Sequence, residues 1–181
     1  MKGRGRRIVV DADVGRAAAN ISRADRGEVV NARALAISRS LRAFLEARNV
    51  AVFSPSLHKE WQKHAGRGGC RWFARMLEKK LIDKVIPEPD STWLEEIIKD
   101  NLPESDAKVA HKDRHLVTLA IAKADLRILS CDGKAREKYV WLVPNASKLE
   151  RLHWVDPGED SVPRWLTERA PDHRPWMLGF S

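Results

Sequence analysis

Cysteine is scarce: only Cys70 and Cys131 occur in 181 residues. They form no CxxC pair and no metal-ligand spacing, so neither a disulfide framework nor a cysteine-based zinc module is expected, and both read as buried free thiols. Long apolar runs are missing as well. Nothing approaches the roughly 20 consecutive apolar residues that span a bilayer, so no membrane partner is expected. The basic start, Met1 to Arg7, is followed by only three strongly apolar residues before Asp11. That is too short for the hydrophobic region of a secretory signal, and a cytoplasmic location is expected. Phosphate-binding glycine fingerprints are absent too, which argues against nucleoside-triphosphate chemistry. The histidines His58, His64, His111 and His115 lack the spacing of an established zinc motif, and no internal repeat is visible.

What is present is a globular composition, 43% hydrophobic and 32% charged, with a net charge of +8. Such a balance draws a protein toward polyanions, of which phosphate backbones are the commonest, but it does not specify chemistry. Strand-like and helical stretches alternate. Residues 7 to 11 and 50 to 53 read as short strands rich in β-branched residues. Residues 28 to 48 carry apolar side chains at three- and four-residue spacing, which predicts a helix. Ser54-Pro55 supplies an N-cap and first-turn proline for a helix to His64. Gly66 to Gly69 is expected to break it before another helix at 71 to 80. A short strand at Val85-Ile86, a helix from Ser91 to Asp100, a helix from 105 to 124 and a strand to Ser130 follow. A helix at 133 to 140 and strands at 141 to 143 and 151 to 155 complete the pattern. Alternation of this kind implies an α/β fold with a mostly parallel sheet covered on both faces. The composition shifts at Asp156, so residues 1 to 155 read as the main domain. Residues 156 to 181 read as a Pro- and Trp-rich extension that begins with a linker and packs back on the domain or meets a partner.

Four carboxylates stand out. Asp113 shares a helical stripe with Val109, Leu116, Val117 and Ala120, and Glu60 shares one with Leu57, Trp61 and His64. Asp11 and Asp132 fall at or just beyond the ends of two predicted strands, the edge of a parallel sheet where ligands bind. If those strands are neighbours, all four side chains converge. Ionised groups in such surroundings are costly unless compensated, and clustered carboxylates repel one another. Mg²⁺ or Mn²⁺ is the natural counterion for an all-oxygen set. Asp13 is a further candidate ligand, and Ser130 a supporting hydroxyl or a strand-end cap. For each residue taken alone, the plainer reading is a carboxylate held by backbone N–H groups or an arginine.

The order of these motifs resembles that of PIN-domain nucleases. Ile8-Val9-Val10-Asp11-Ala12-Asp13-Val14 is similar to the opening strand motif, and Ser54 to Trp61 to the second motif with its glutamate at Glu60. Lys112-Asp113-Arg114-His115-Leu116 resembles the third, and Ser130-Cys131-Asp132 the closing Thr/Ser-x-Asp motif. The resemblance spans residues 7 to 143. It implies a three-layer α/β/α sandwich and Mg²⁺- or Mn²⁺-dependent endonucleolytic cleavage of RNA, with Asp11, Glu60, Asp113 and Asp132 as catalytic metal ligands. Many small members of that family are toxins paired with an antitoxin. This chain is longer than a typical toxin, and its tail has no counterpart among the core motifs.

Arg16, Arg23 and Arg26 fall in the expected loop after Asp11, and Arg71, Arg75 and Lys79 form a helical row. Both groups suit contacts to an RNA backbone, or simply a solvated surface. Trp61, Trp72, Trp93, Trp141 and Trp154 read as core or edge packing. Three functional readings therefore stand open: an endoribonuclease, a catalytically silent scaffold that binds RNA or protein, and a nuclease acting on DNA. An antitoxin protein and a second copy of the chain are the partner classes left open.

Overall fold

The computed structural model describes residues 5–18 and 31–180. Five short strands, β1 (Arg7–Val10), β2 (Val50–Phe53), β3 (Ile82–Lys84), β4 (Arg127–Leu129) and β5 (His153–Val155), form one sheet. All pairings are parallel and the order is β3-β2-β1-β4-β5. Parallel neighbours need crossovers, and helices supply them. Among the described residues these are α1 (Ala12–Ala17), α2 (Ala32–Glu46), α3 (Pro55–His64), α4 (Arg67–Glu78), α5 (Thr92–Asn101), α6 (Glu104–Lys123), α7 (Gly133–Leu142) and α8 (Val162–Thr167). The result is a three-layer α/β/α sandwich. The strand order reverses direction beside β1: β2 and β3 extend to one side, β4 and β5 to the other. A crevice therefore opens where the C-terminal ends of β1 and β4 meet, the general ligand position of such sheets.

The central strands are apolar on both faces, as a doubly covered sheet requires. Ile8, Val9, Val10, Ala51, Val52, Ile128 and Leu129 are all fully buried. Asn31 caps α2 through its side chain. Ser54 caps α3, with Pro55 in the first turn as expected. Trp61 on α3 donates from its indole Nε1 to Val10 O at 2.8 Å, fastening that helix to the end of β1.

Several expectations need correction. The third strand is residues 82 to 84, not 85 and 86; Ile86 is exposed, and β3 is an edge strand, where Asp83 and Lys84 are tolerated on the open side. Residues 141 to 143 are not a strand. Leu142 continues the buried α7 stripe of Ala135 and Tyr139, so helical packing wins. The expected helix start at 28 lies outside the described residues. The expected break falls at Ala65-Gly66, with Gly66 as the N-cap of α4; Gly68 and Gly69 lie inside α4, which begins at Arg67, and Gly69 is where it crosses α1. A Cβ there would lie 2.4 Å from Gly15 O, so only glycine permits the approach. Cys70 is exposed and Cys131 partly exposed, not buried.

The stretch after β5 does not hang free. Pro157 is buried and its carbonyl accepts from Ser40 Oγ at 2.7 Å. α8 lies on α2, and Trp165 and Trp176 meet edge to face in the core. Met177 bridges antiparallel to His153 of β5. Trp61, Trp72 and Trp154 are core residues, whereas Trp141 is exposed. No helix among the described residues is long and apolar enough to cross a membrane.

Candidate functional site

The sheet order places Asp11 and Ser130 side by side. Asp11 follows β1, and its N–H donates to Leu129 O at 2.9 Å, extending the β1–β4 ladder by one step. Its carboxylate Oδ2 then accepts from Ser130 Oγ at 2.8 Å, inside the protein. The same hydroxyl oxygen accepts from Asp132 N–H at 3.1 Å. Ser130 is thus the hinge pin between the two strand-end aspartates. Asp132 also caps α7, accepting from Ala135 N–H at 2.9 Å. Asp11 caps α1 through a long contact from Asp13 N–H, 3.5 Å. Both strand-end acids therefore hold helix N-termini, a structural task that each performs whatever else it does.

Asp13, two residues on in the first turn of α1, joins this mesh. Its two carboxylate oxygens accept from Cys131 N–H at 3.3 and 3.1 Å. Burial and the neighbouring Asp11 charge drive its pKa from 3.8 up to about 8, against the Cys131 hydrogen bonds that favour the anion. Asp113 arrives from below on α6. Burial comes first and Asp11 second, with Asp132 adding to them, and together they raise its pKa from 3.8 to about 7. Only 4% of Asp113 is exposed, and its Oδ2 is buried with no hydrogen-bond partner. No lysine or arginine among the described residues forms an ion pair with Asp11, Asp13 or Asp113.

Glu60 departs from its expectation. Leu57 and Trp61 are buried, but Glu60 is half-exposed at the edge of their stripe. It lines a polar cleft of about 250 Å³ with Ser56, Glu88, Lys112, Arg114 and His115. Its Oε2 lies 3.2 Å from His115 Nε2, close enough for an ion pair though poorly aligned for a hydrogen bond. His115 holds the Glu60 pKa below its usual range. Burial works to lower the His115 pKa, but Glu60, followed by Asp113 and Asp11, outweighs it and the net shift is upward. His115 thus stands electrostatically between Glu60 and the aspartates. His115 is two residues from Asp113 on α6, off that residue's buried stripe. Only the packing of α3 against α6 brings it in, and no spacing along one helix signals that.

Of the basic candidates, Arg16 is exposed on α1 rather than in a loop, and Arg71 and Arg75 are exposed on α4, which crosses α1 at Gly69. Arg23 and Arg26 lie outside the described residues. Burial, then Asp13, pushes the Cys131 thiol up to about 12, which removes it as a thiolate nucleophile.

Among the described residues no three His, Cys, Asp or Glu side chains are gathered closely enough to hold a metal ion. The donor chemistry nevertheless fits a hard divalent cation. The set is carboxylate oxygen, one oxygen of Asp113 is buried and unpartnered, and the raised pKa values of Asp13 and Asp113 express a surplus of negative charge that a cation would relieve. No family model matches the chain, and no curated protein or solved structure is detectably similar to it.

Proposed function

We propose that this chain is a PIN-like endoribonuclease in which Asp11, Glu60, Asp113 and Asp132, with Asp13, hold Mg²⁺ or Mn²⁺. The observation that carries the reading is the uncompensated charge at the sheet's switch point. Two carboxyls there are raised to about 8 and about 7, and Asp113 keeps a buried oxygen without a partner. A purely structural role would be met more cheaply by one arginine or by neutral side chains. When bound, a divalent ion there supplies a Lewis acid for the phosphodiester and acidifies a coordinated water.

The chain's own residues supply the rest. Ser130 fixes the Asp11 carboxylate, and the Asp132 cap on α7 fixes the other strand-end acid. His115 lies 3.2 Å from Glu60 at the edge of the cluster, and that carboxylate favours its protonated form. Exposed Arg16, Arg71 and Arg75, with Lys112 in the polar cleft, offer cations to an RNA backbone. The test is Mn²⁺-dependent cleavage of a panel of RNAs with Asp113→Asn as control. Wild-type cleavage by that variant, with contaminating nuclease excluded, refutes the assignment.

A second reading has one observation in its favour. The acids are not drawn in to ligand distance, and Asp11 and Asp132 already cap helices. A silent scaffold that binds RNA or protein through its basic surface matches that. It prevails if the protein binds RNA in EDTA and never cuts RNA or DNA with Mn²⁺ present.

A further inference from the structure

At the edge of the sheet opposite the acidic cluster, the N-terminal ends of the neighbouring strands β1, β4 and β5 each bring an arginine. Arg6 precedes β1, Arg127 opens β4 and Arg151 lies two residues before β5. With Asp125, Leu126 and Asp172 they line a cleft of about 280 Å³. That is just below the ~300–1,000 Å³ of drug-sized sites, which suits a small ligand. Three guanidinium groups stand there against two carboxylates. Cations gathered in this way repel one another unless an anion holds them together.

One anion is already in place, and it comes from the tail. The Asp172 carboxylate accepts from Arg127 Nη2 through Oδ1 and from Arg151 Nη2 through Oδ2, each at 2.9 Å. Donors from two strands are thus aimed at a single carboxylate, the geometry that also receives a phosphate. Arg127 is 4% exposed and fixed in the wall, its Nε donating to Ala170 O at 2.7 Å and its Nη1 to Asp125 O. Asp125 is itself engaged by the backbone, accepting from Arg7 N–H at 3.1 Å. Arg6 donates through Nε to Arg169 O at 3.3 Å and forms no ion pair among the described residues. Burial first and the Arg6 charge second lower the Arg127 pKa, so Asp172 leaves the cluster with a positive surplus. Asp172 is also a poorly tethered occupant. It is half-exposed, and the turn that delivers it holds Arg169 and Ala170 at φ of 69° and 45°, a region that non-glycine residues disfavour.

We propose that Arg6, Arg127 and Arg151 form a binding site for a phosphate monoester dianion, with Asp172 as a tethered stand-in that the dianion displaces. The second negative charge balances what one carboxylate leaves over. None of these residues belongs to the acidic cluster, so the site stands whether or not the chain cleaves RNA. The full chain, in EDTA and low chloride, is titrated with inorganic phosphate by calorimetry. Saturable binding at one site per chain is expected. Arg6→Gln and Arg151→Gln, both at exposed positions, should each weaken it at least fivefold. Should one of them fail to fold, the other decides. Asp172→Asn removes the internal competitor and should tighten phosphate at least threefold. Glu104→Gln makes the same charge change at a side chain 85% exposed on α6 and should leave the affinity as it was. No saturable binding, wild-type affinity in both folded arginine variants, or an Asp172→Asn protein that binds no more tightly than Glu104→Gln overturns the site. Competition with phosphate by a 5′-phosphorylated trinucleotide, and not by its 5′-hydroxyl counterpart, identifies an RNA end as the source of the monoester. Competition by neither identifies the free ion, and equal competition by both overturns the monoester preference.

Discussion

Replacing Asp113 by asparagine should make the metal-free protein more stable and functionally dead. Asp113 is 4% exposed, and burial, Asp11 and Asp132 lift its pKa from 3.8 to about 7. Each pH unit of displacement is worth about 1.36 kcal/mol, so holding this carboxyl ionised costs the fold at most about 4 kcal/mol. The sign follows from proton binding. The native state keeps the proton more tightly than the unfolded chain, so native stability falls as pH rises from about 4 to about 7 and the loss is complete above that. Asparagine carries no charge to repel, and its amide can donate toward the neighbouring carboxylates. In EDTA at pH 8, Asp113→Asn should therefore gain up to about 4 kcal/mol in urea denaturation, and the gain should shrink toward zero near pH 4. Adding Mn²⁺ should stabilise the wild type and not the variant, because ligand binding stabilises only a state that binds it. A variant less stable than wild type at pH 8 would mean that Asp113 is compensated in solution, and the argument from uncompensated charge would collapse.

Three further outcomes follow from other parts of the molecule. Glu60→Gln removes the main influence that opposes burial at His115, so the His115 pKa should drop in an NMR titration; an unchanged value would show that the 3.2 Å pair does not form in solution. His153 is buried, stacks on Trp165 and accepts from His173 N–H at 3.0 Å, and burial followed by Arg127 lowers its pKa from 6.5 to about 4. Because the native state resists protonation, stability should decline as pH falls from about 6.5 to about 4, by at most about 3 kcal/mol, and His153→Leu should flatten that part of the curve measured by denaturant titration. Gly69→Ala puts a Cβ 2.4 Å from Gly15 O and should cost about 1–3 kcal/mol as α4 and α1 are forced apart, with loss of any activity that depends on Asp13; a neutral melting temperature would show that the crossing is loose.

Much of this molecule was legible from its residues. Alternating apolar strands and periodic helices imply a doubly covered parallel sheet, because the central strands are apolar on both faces. Capping and turn chemistry located α3 through Ser54-Pro55, and helical spacing put Asp113 on a buried stripe. These are local properties, set by periods of two and 3.6 residues. Pairing is not local. That β1 and β4 are neighbours, and hence that Asp11, Ser130 and Asp132 share hydrogen bonds across more than a hundred residues, was decided by the order of strands in the sheet. Helix packing moved Glu60 to the rim and brought in His115, and it made Gly69, just past the break at Gly66, the point where α4 crosses α1. Composition left the tail open between packing back on the domain and meeting a partner, since proline and tryptophan serve an interface as readily as a core; its burial against α2 and β5 was decided by the fold. The sequence by itself determined which side chains would be expensive to bury. Tertiary structure decided which of them meet, because only the three-dimensional arrangement sets the distance between charges, and that distance sets both their repulsion and their chemistry.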